Sequence, residues 1–163
     1  MSHNPDARLI FTNPIHFLAF GFGSGLSPVA PGTVGTLVAI PIYMLMSSLS
    51  LSTYCIVLFV LCVVSVVIAG KSSQQLGVHD HGGIVIDEIV GYLLTMTLAP
   101  GGWVWILAGF LLFRFFDILK PWPIRMLDLR VSGGLGIVID DLMAGIYGGL
   151  SLLLLEWLVK QFS

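Results

Sequence analysis

The chain has 163 residues and a formal net charge of −2; 56% of its residues are hydrophobic and 10% are charged, with a mean hydropathy of +0.99. A soluble domain carries roughly 25% charged residues, so the composition argues against a water-facing globule, a disordered chain or a nucleic-acid binder. The length predicts one membrane-embedded domain over 1–163. In chain order, 15–22 is apolar but too short to span and is expected at the interface. Two segments, 34–50 (with Pro41 predicted to kink it) and 54–70, approach the ~20 apolar residues that a crossing needs. The block 84–116 is broken at Ala99-Pro100-Gly101-Gly102, which predicts a hairpin of two helices, 84–99 and 103–118. Residues 139–159 form the last predicted span. No cleavable signal peptide is read at the N-terminus. Cys55 and Cys62 lie two helical turns apart, too far for a disulfide, and read as small apolar fillers.

Charge is concentrated. Residues 9–70, 89–113 and 142–155 contain no Asp, Glu, Lys or Arg, and twelve of the sixteen charged residues fall between Lys71 and Asp141. The predicted loops at 50–53 and 100–102 are uncharged. Arg8, Lys71, Lys120, Arg125 and Arg130 all belong to the other side, which the positive-inside rule makes cytoplasmic; only Lys160 disagrees. The expectation is an all-α polytopic membrane bundle of about four to five spanning helices with an acidic site at its cytoplasmic face.

An internal echo marks that site. Gly83-Ile84-Val85-Ile86-Asp87-Glu88 and Gly136-Ile137-Val138-Ile139-Asp140-Asp141 repeat at an offset of 53 residues, each ending in an acid pair. Two helices that begin alike can face each other across a local pseudo-twofold, although so short an apolar match also arises by chance. Adjacent acids on a helix point about 100° apart, so at least one carboxylate of each pair is expected in the site. Gly91, Ala144 and Gly145, one turn later, are expected to leave room there for an ion or phosphate. Acids favoured by a helix N-terminus are the plainer reading.

A third constellation runs from Phe113 to Arg125. Arg114 and Asp117 share a helix face at i,i+3, and Pro121 ends that helix, leaving Lys120 and Arg125 around a Pro-Trp-Pro turn. These cations read either as a phosphate clamp or as an interfacial anchor with Trp122. In the loop His79-Asp80-His81, no further His or Cys completes a zinc set. Across the chain hard oxygen donors dominate (Asp80, Asp87, Glu88, Asp117, Asp140, Asp141), which suits Mg²⁺ or Mn²⁺. The Gly/Pro-rich stretch 21–36 lacks a Walker ending; its backbone amides and hydroxyls, Ser24 and Thr33 among them, either cradle a phosphate or simply connect elements.

Four blocks, GFGSGLSPVAPGTVGT, GVHDHGGIVIDEIVG, FRFFDILKPWPIR and GGLGIVIDDLMAG, resemble the motifs of the phosphatidylglycerophosphatase A family in order and spacing. The resemblance implies an all-helical, multi-pass lipid phosphatase of the bacterial inner membrane, dependent on one or two Mg²⁺ ions. It would hydrolyse phosphatidylglycerophosphate in the bilayer to phosphatidylglycerol and phosphate. It carries over Asp80, Asp87, Glu88, Asp117, Lys120, Arg125, Asp140 and Asp141. Among them, Asp87, Glu88, Asp117, Asp140 and Asp141 are expected as metal ligands. Asp80, Glu88, Asp117, Lys120 and Arg125 are expected in catalysis. Ser24, Thr33, His81, Arg114, Lys120 and Arg125 are expected on substrate.

The residues agree in what they lack. There is no Cys-x₅-Arg nucleophile and no Asp-x-Asp, which leaves metal-assisted attack by water. A CDP-alcohol phosphotransferase is disfavoured because no Asp-Gly occurs in the chain. A cation transporter would carry its acids mid-membrane rather than at one face. No nucleic-acid partner is expected, and oligomeric state is left open.

Overall fold

The computed structural model describes residues 6–78 and 81–162. Helix is the only regular secondary structure among these residues, which include no strand. Two short helices, α1 (Ala7–Thr12) and α2 (Pro14–Ala19), lead into a 3-10 turn, Gly21–Leu26. Next come α3 (Pro31–Met46), α4 (Leu51–Leu76), α5 (Ile86–Thr95), α6 (Trp103–Leu119), α7 (Ile124–Arg130) and α8 (Gly133–Phe162).

Local chemistry explains the starts and stops. Asn13 accepts a hydrogen bond from the Ile15 amide at 3.0 Å ahead of Pro14, whose ring suits the first helical position. Ser50 caps α4 through the Thr53 amide, and Gly77 ends it at φ +68. Pro31 opens α3, and Pro41 lies within it.

The short helix α5 sits at the centre, packed against α3, α4, α6 and α8. Tyr92 and Leu93 are fully buried there and Met96 nearly so. Tyr54 Oη donates to the Leu93 carbonyl at 2.6 Å, and Tyr92 Oη to the Ile106 carbonyl at 3.1 Å, so both buried phenols are satisfied. The Tyr92 ring meets Tyr43 and Phe113 edge to face.

Around this core the apolar faces point outward. On α4, Ile56, Phe59, Val60, Val63 and Val67 are exposed at helical spacing, as are Val104, Leu107, Leu111, Phe115 and Ile118 on α6. Such continuous apolar surface suits lipid rather than water. At 1.5 Å per residue, α4 with 26 residues and α8 with 30 exceed the ~30 Å hydrocarbon core; both are long and apolar enough to cross a membrane.

Three expectations change. The segment 84–99 is helical only over Ile86–Thr95, about 15 Å, too short to span. Its start is set by the Val85 amide bonding the Ala19 carbonyl, and its end by turns at Met96–Ala99. The last helix begins at Gly133 rather than 139, and α7 occupies a stretch for which the sequence predicted no helix.

Candidate active site

The first turn of α5 presents Asp87 and Glu88, and α8 presents Asp141 two turns from its start. One carboxylate oxygen from each of these three residues lies within 4.8 Å of the others. The echo therefore does bring two helices face to face, but unevenly. Both acids of the first pair join the cluster, and only one of the second does. Asp140, about 100° away, turns to Lys120, whose Nζ donates to its Oδ2 at 2.6 Å.

Close backbone approach makes this meeting possible. A Cβ at Gly145 would sit 2.5 Å from the Gly91 carbonyl oxygen, and one at Gly91 would sit 2.8 Å from that of Asp141. The small residues of the echo thus serve helix contact, and the room expected for an ion or phosphate is filled by backbone and by Phe113.

Two cations flank the acids. Arg114 pairs closely with Asp117 and lies 3.8 Å from Glu88; all three side chains are largely buried, near 14% exposed. Lys120 caps α6 in the left-handed region, φ +42, a conformation that costs a lysine about 1 kcal/mol. Its contacts hold it there: Asp140 at 2.6 Å and Asp128 at 3.2 Å. Burial alone would favour neutral Lys120. The hydrogen bonds and charges of Asp140 and Asp128 outweigh it, raising the lysine above its ordinary pKa. Asp128 was not singled out in the sequence; its signal was being the remaining unassigned acid between Lys71 and Asp141.

Glu88 behaves differently. Burial, aided by the nearby charge of Asp117, pushes its carboxyl up to about 7, against the opposing pull of a hydrogen bond shared with Asp87 and of the Arg114 charge. Glu88 Oε2 and Asp140 Oδ1 are buried with no hydrogen-bond partner among the described residues. Three mostly buried carboxylates with spare oxygen lone pairs fit a hard divalent cation.

The remaining expected residues fall around this centre. The Gly/Pro-rich stretch delivers α3 to it: a Cβ at Gly32 would lie 2.1 Å from Glu88 Oε1 and 3.0 Å from Arg114 Nη1. Thr33 follows in the same turn. Ser24 instead donates to the Phe20 carbonyl at 3.4 Å within its own turn. His81 is buried against Phe20 and accepts the Gly83 amide on Nδ1 at 3.0 Å. Arg125 is exposed, forms no ion pair among the described residues, and lines a cavity beside α7. Asp80 lies outside the described residues.

The phosphatidylglycerophosphatase A family model matches residues 17–156, which hold the whole cluster. The chain belongs to that family. It is 48% identical over 141 residues to a phosphatidylglycerophosphatase A of Escherichia coli (strain K12), covering 86% of this chain and 82% of the relative. It is 46% identical over 147 residues to one of Haemophilus influenzae, covering 89% and 90%. A third relative, from Bacteroides thetaiotaomicron, is provisionally named a phosphatidylinositol-3-phosphatase; it is 35% identical over 146 residues, covering 85% and 91%. No solved structure matches the chain. The phosphatidylglycerophosphatase A match takes in α5, α6 and α7 entirely, so the clustered acids and the cations beside them lie within the matched segment.

Proposed function

We propose that this chain hydrolyses the terminal phosphomonoester of phosphatidylglycerophosphate, giving phosphatidylglycerol and phosphate, with Mg²⁺ as cofactor. The observation that carries the reading is the convergence of Asp87, Glu88 and Asp141 beside Arg114 at one end of an apolar bundle. Asp87, Glu88 and Asp141 would hold one ion; Asp117 and Asp140 are already engaged by Arg114 and Lys120. When bound, the metal supplies charge neutralisation at the phosphate and a more acidic water.

The protein does the rest. Arg114, fixed by Asp117, sets positive charge at the edge of the acids, where the transferring phosphoryl group needs it. Glu88 keeps a second oxygen, Oε2, buried and without a hydrogen-bond partner among the described residues, which suits it to take a proton from the attacking water. Asp80, seven residues before Asp87 in the sequence, is the second acid within sequence reach for that role. Lys120 neutralises Asp140, so that α8 does not add a further unpaired charge next to Asp141.

We also read the molecule as a single multi-pass unit of the bacterial inner membrane. In this reading α3, α4, α6 and α8 cross and α5 does not, with the acids at the cytoplasmic face. Phosphate then reaches the carboxylates from the interface while acyl chains stay in lipid. Both lipids for which the relatives are named carry a phosphodiester beside the phosphomonoester.

The test is phosphate release from phosphatidylglycerophosphate by detergent-purified protein, with Mg²⁺ and with excess chelator. Phosphatidic acid and phosphatidylinositol 3-phosphate serve as competing substrates. Mg²⁺-dependent release that favours phosphatidylglycerophosphate is expected. Preference for the phosphoinositide would move the substrate. No release from any lipid by folded protein would overturn the reading and leave the acids as an ion-binding or transport site.

A further inference from the structure

Beside α7 an open cavity of about 500 Å³ is lined by Lys120, Trp122, Arg125, Met126, Leu129 and Arg130, within the range of ligand sites. Its cations differ in their commitments. Lys120 is tied to Asp140 and Asp128, whereas Arg125 and Arg130 form no ion pair among the described residues, and both are exposed. Its walls are apolar and outward-facing, with Trp122 at 78% and Leu129 at 76% exposure. Two unpaired guanidiniums sharing a cavity with an indole and aliphatic side chains suit an anionic group attached to a lipid, since guanidinium forks match phosphate oxygens and an indole settles at the membrane interface.

The cavity is connected to the acids through Lys120. Lys120 forms part of its wall, and the same ammonium bonds Asp140, the neighbour of Asp141. Cavity and carboxylate cluster are therefore linked through Lys120 and the adjacent pair Asp140-Asp141. A phosphatidylglycerophosphate molecule has a matching division: the phosphomonoester that is lost, and the phosphodiester that stays, joined through a glycerol.

We propose that Arg125 and Arg130 bind the retained phosphodiester of the lipid substrate and so set head-group specificity, a role that rests on the proposed phosphatase function. The site would favour a lipid with both phosphates over one with a monoester alone. It would also hold the product phosphatidylglycerol, which keeps the diester.

The experiment compares wild type with Arg125→Gln, Arg130→Gln and the double variant in neutral detergent micelles. Both side chains are exposed, so folding is expected to survive, and a melting curve checks it. Loss of charged hydrogen bonds should raise KM for phosphatidylglycerophosphate, and Ki for phosphatidylglycerol, together by about tenfold or more in the double variant. In Arg130→Gln, kcat and Ki for inorganic phosphate should stay within about twofold. Unchanged KM and Ki would overturn the proposal, as would a fall in kcat alone. A KM effect confined to vesicles rich in phosphatidylserine, absent in neutral micelles, would make the arginines a general surface anchor and also overturn it. If wild type releases no phosphate, the phosphatase reading fails separately. Direct binding of radiolabelled phosphatidylglycerol, weakened or unchanged in the double variant, then decides the role of the two arginines.

Discussion

A methyl group added at Gly32 would fall 2.1 Å from Glu88 Oε1, so Gly32→Ala forces the carboxylate aside while leaving the α3 backbone in a conformation that alanine accepts. The carboxylate is the free end of a flexible side chain. The expected outcome is a tenfold or greater fall in kcat with a melting temperature close to wild type; normal turnover would remove Glu88 from the reaction. The acids themselves should be less forgiving. Asp87→Asn, Asp117→Asn and Asp141→Asn should each lower turnover by about a hundred- to thousand-fold, the scale for losing one charge-stabilising group. Circular dichroism should remain native; near-normal activity in Asp87→Asn and Asp141→Asn would sink the proposed metal site, and in Asp117→Asn the positioning of Arg114. Glu88 also sets a pH dependence. Its folded pKa of about 7 lies above the ordinary 4.5, so the fold prefers the protonated acid. In excess chelator, the Glu88 contribution to stability should therefore be greatest below pH 4.5, fall as pH rises from about 4.5 to about 7, and then level off. Glu88→Gln should flatten that fall in a pH series of melting curves, and an unchanged slope would assign it to other groups.

Between elements, the decisive contact is α5 against α8. Lipid is as apolar as a leucine side chain, so helices inside a bilayer gain little from burying apolar area and depend on close packing. Gly145 supplies it, since a Cβ there would lie 2.5 Å from the Gly91 carbonyl oxygen. Gly145→Leu should push the helices apart, separate Asp141 from Asp87 and Glu88, and cost about 1–3 kcal/mol, with activity lost in parallel. A melting curve and a phosphate-release assay on the same sample check both effects; retained activity would mean the cluster tolerates wider spacing than described. The sequence carried much of this. Charge-free runs located α3, α4, α6 and most of α8, and the GIVID echo pointed to the pair of helices that build the site. It did not carry the short length of α5, because its start depends on a distant partner, Val85 on Ala19, and its end on the local turns at Met96–Ala99. Nor did it separate Asp140 from Asp141. Neighbouring acids point different ways, and only the position of Lys120 decides which one is neutralised. The seven-residue α7 was hidden behind Pro121-Trp122-Pro123, which reads as a stop, and with it the partnership of Asp128 and Lys120.

At the scale of the whole molecule, the two uncharged turns share one end. Tyr43, Ser47 and Leu51 of the α3–α4 turn line a cavity with Met96, Thr97 and Ala99 of the α5–α6 turn, away from the carboxylates. The end of α4 near Lys71 and the start of α8 lie at the acid end. Since positive residues stay on the cytoplasmic side, the orientation can be tested with single cysteines in a chain whose Cys55 and Cys62 are replaced by alanine. Ser48 lies in the uncharged turn and Gln74 near the acid end, and both are exposed. In bacterial spheroplasts, Ser48→Cys should react with a membrane-impermeant maleimide added outside, and Gln74→Cys only after permeabilisation. The reverse pattern would turn the acids outward and require a substrate supplied from that side. Reaction of both before permeabilisation would mean that α4 does not cross at all. The apolar stripe at Ile56, Phe59, Val60, Val63 and Val67 would then have to be covered by protein instead of lipid, because that much contiguous exposed hydrocarbon is not stable in water.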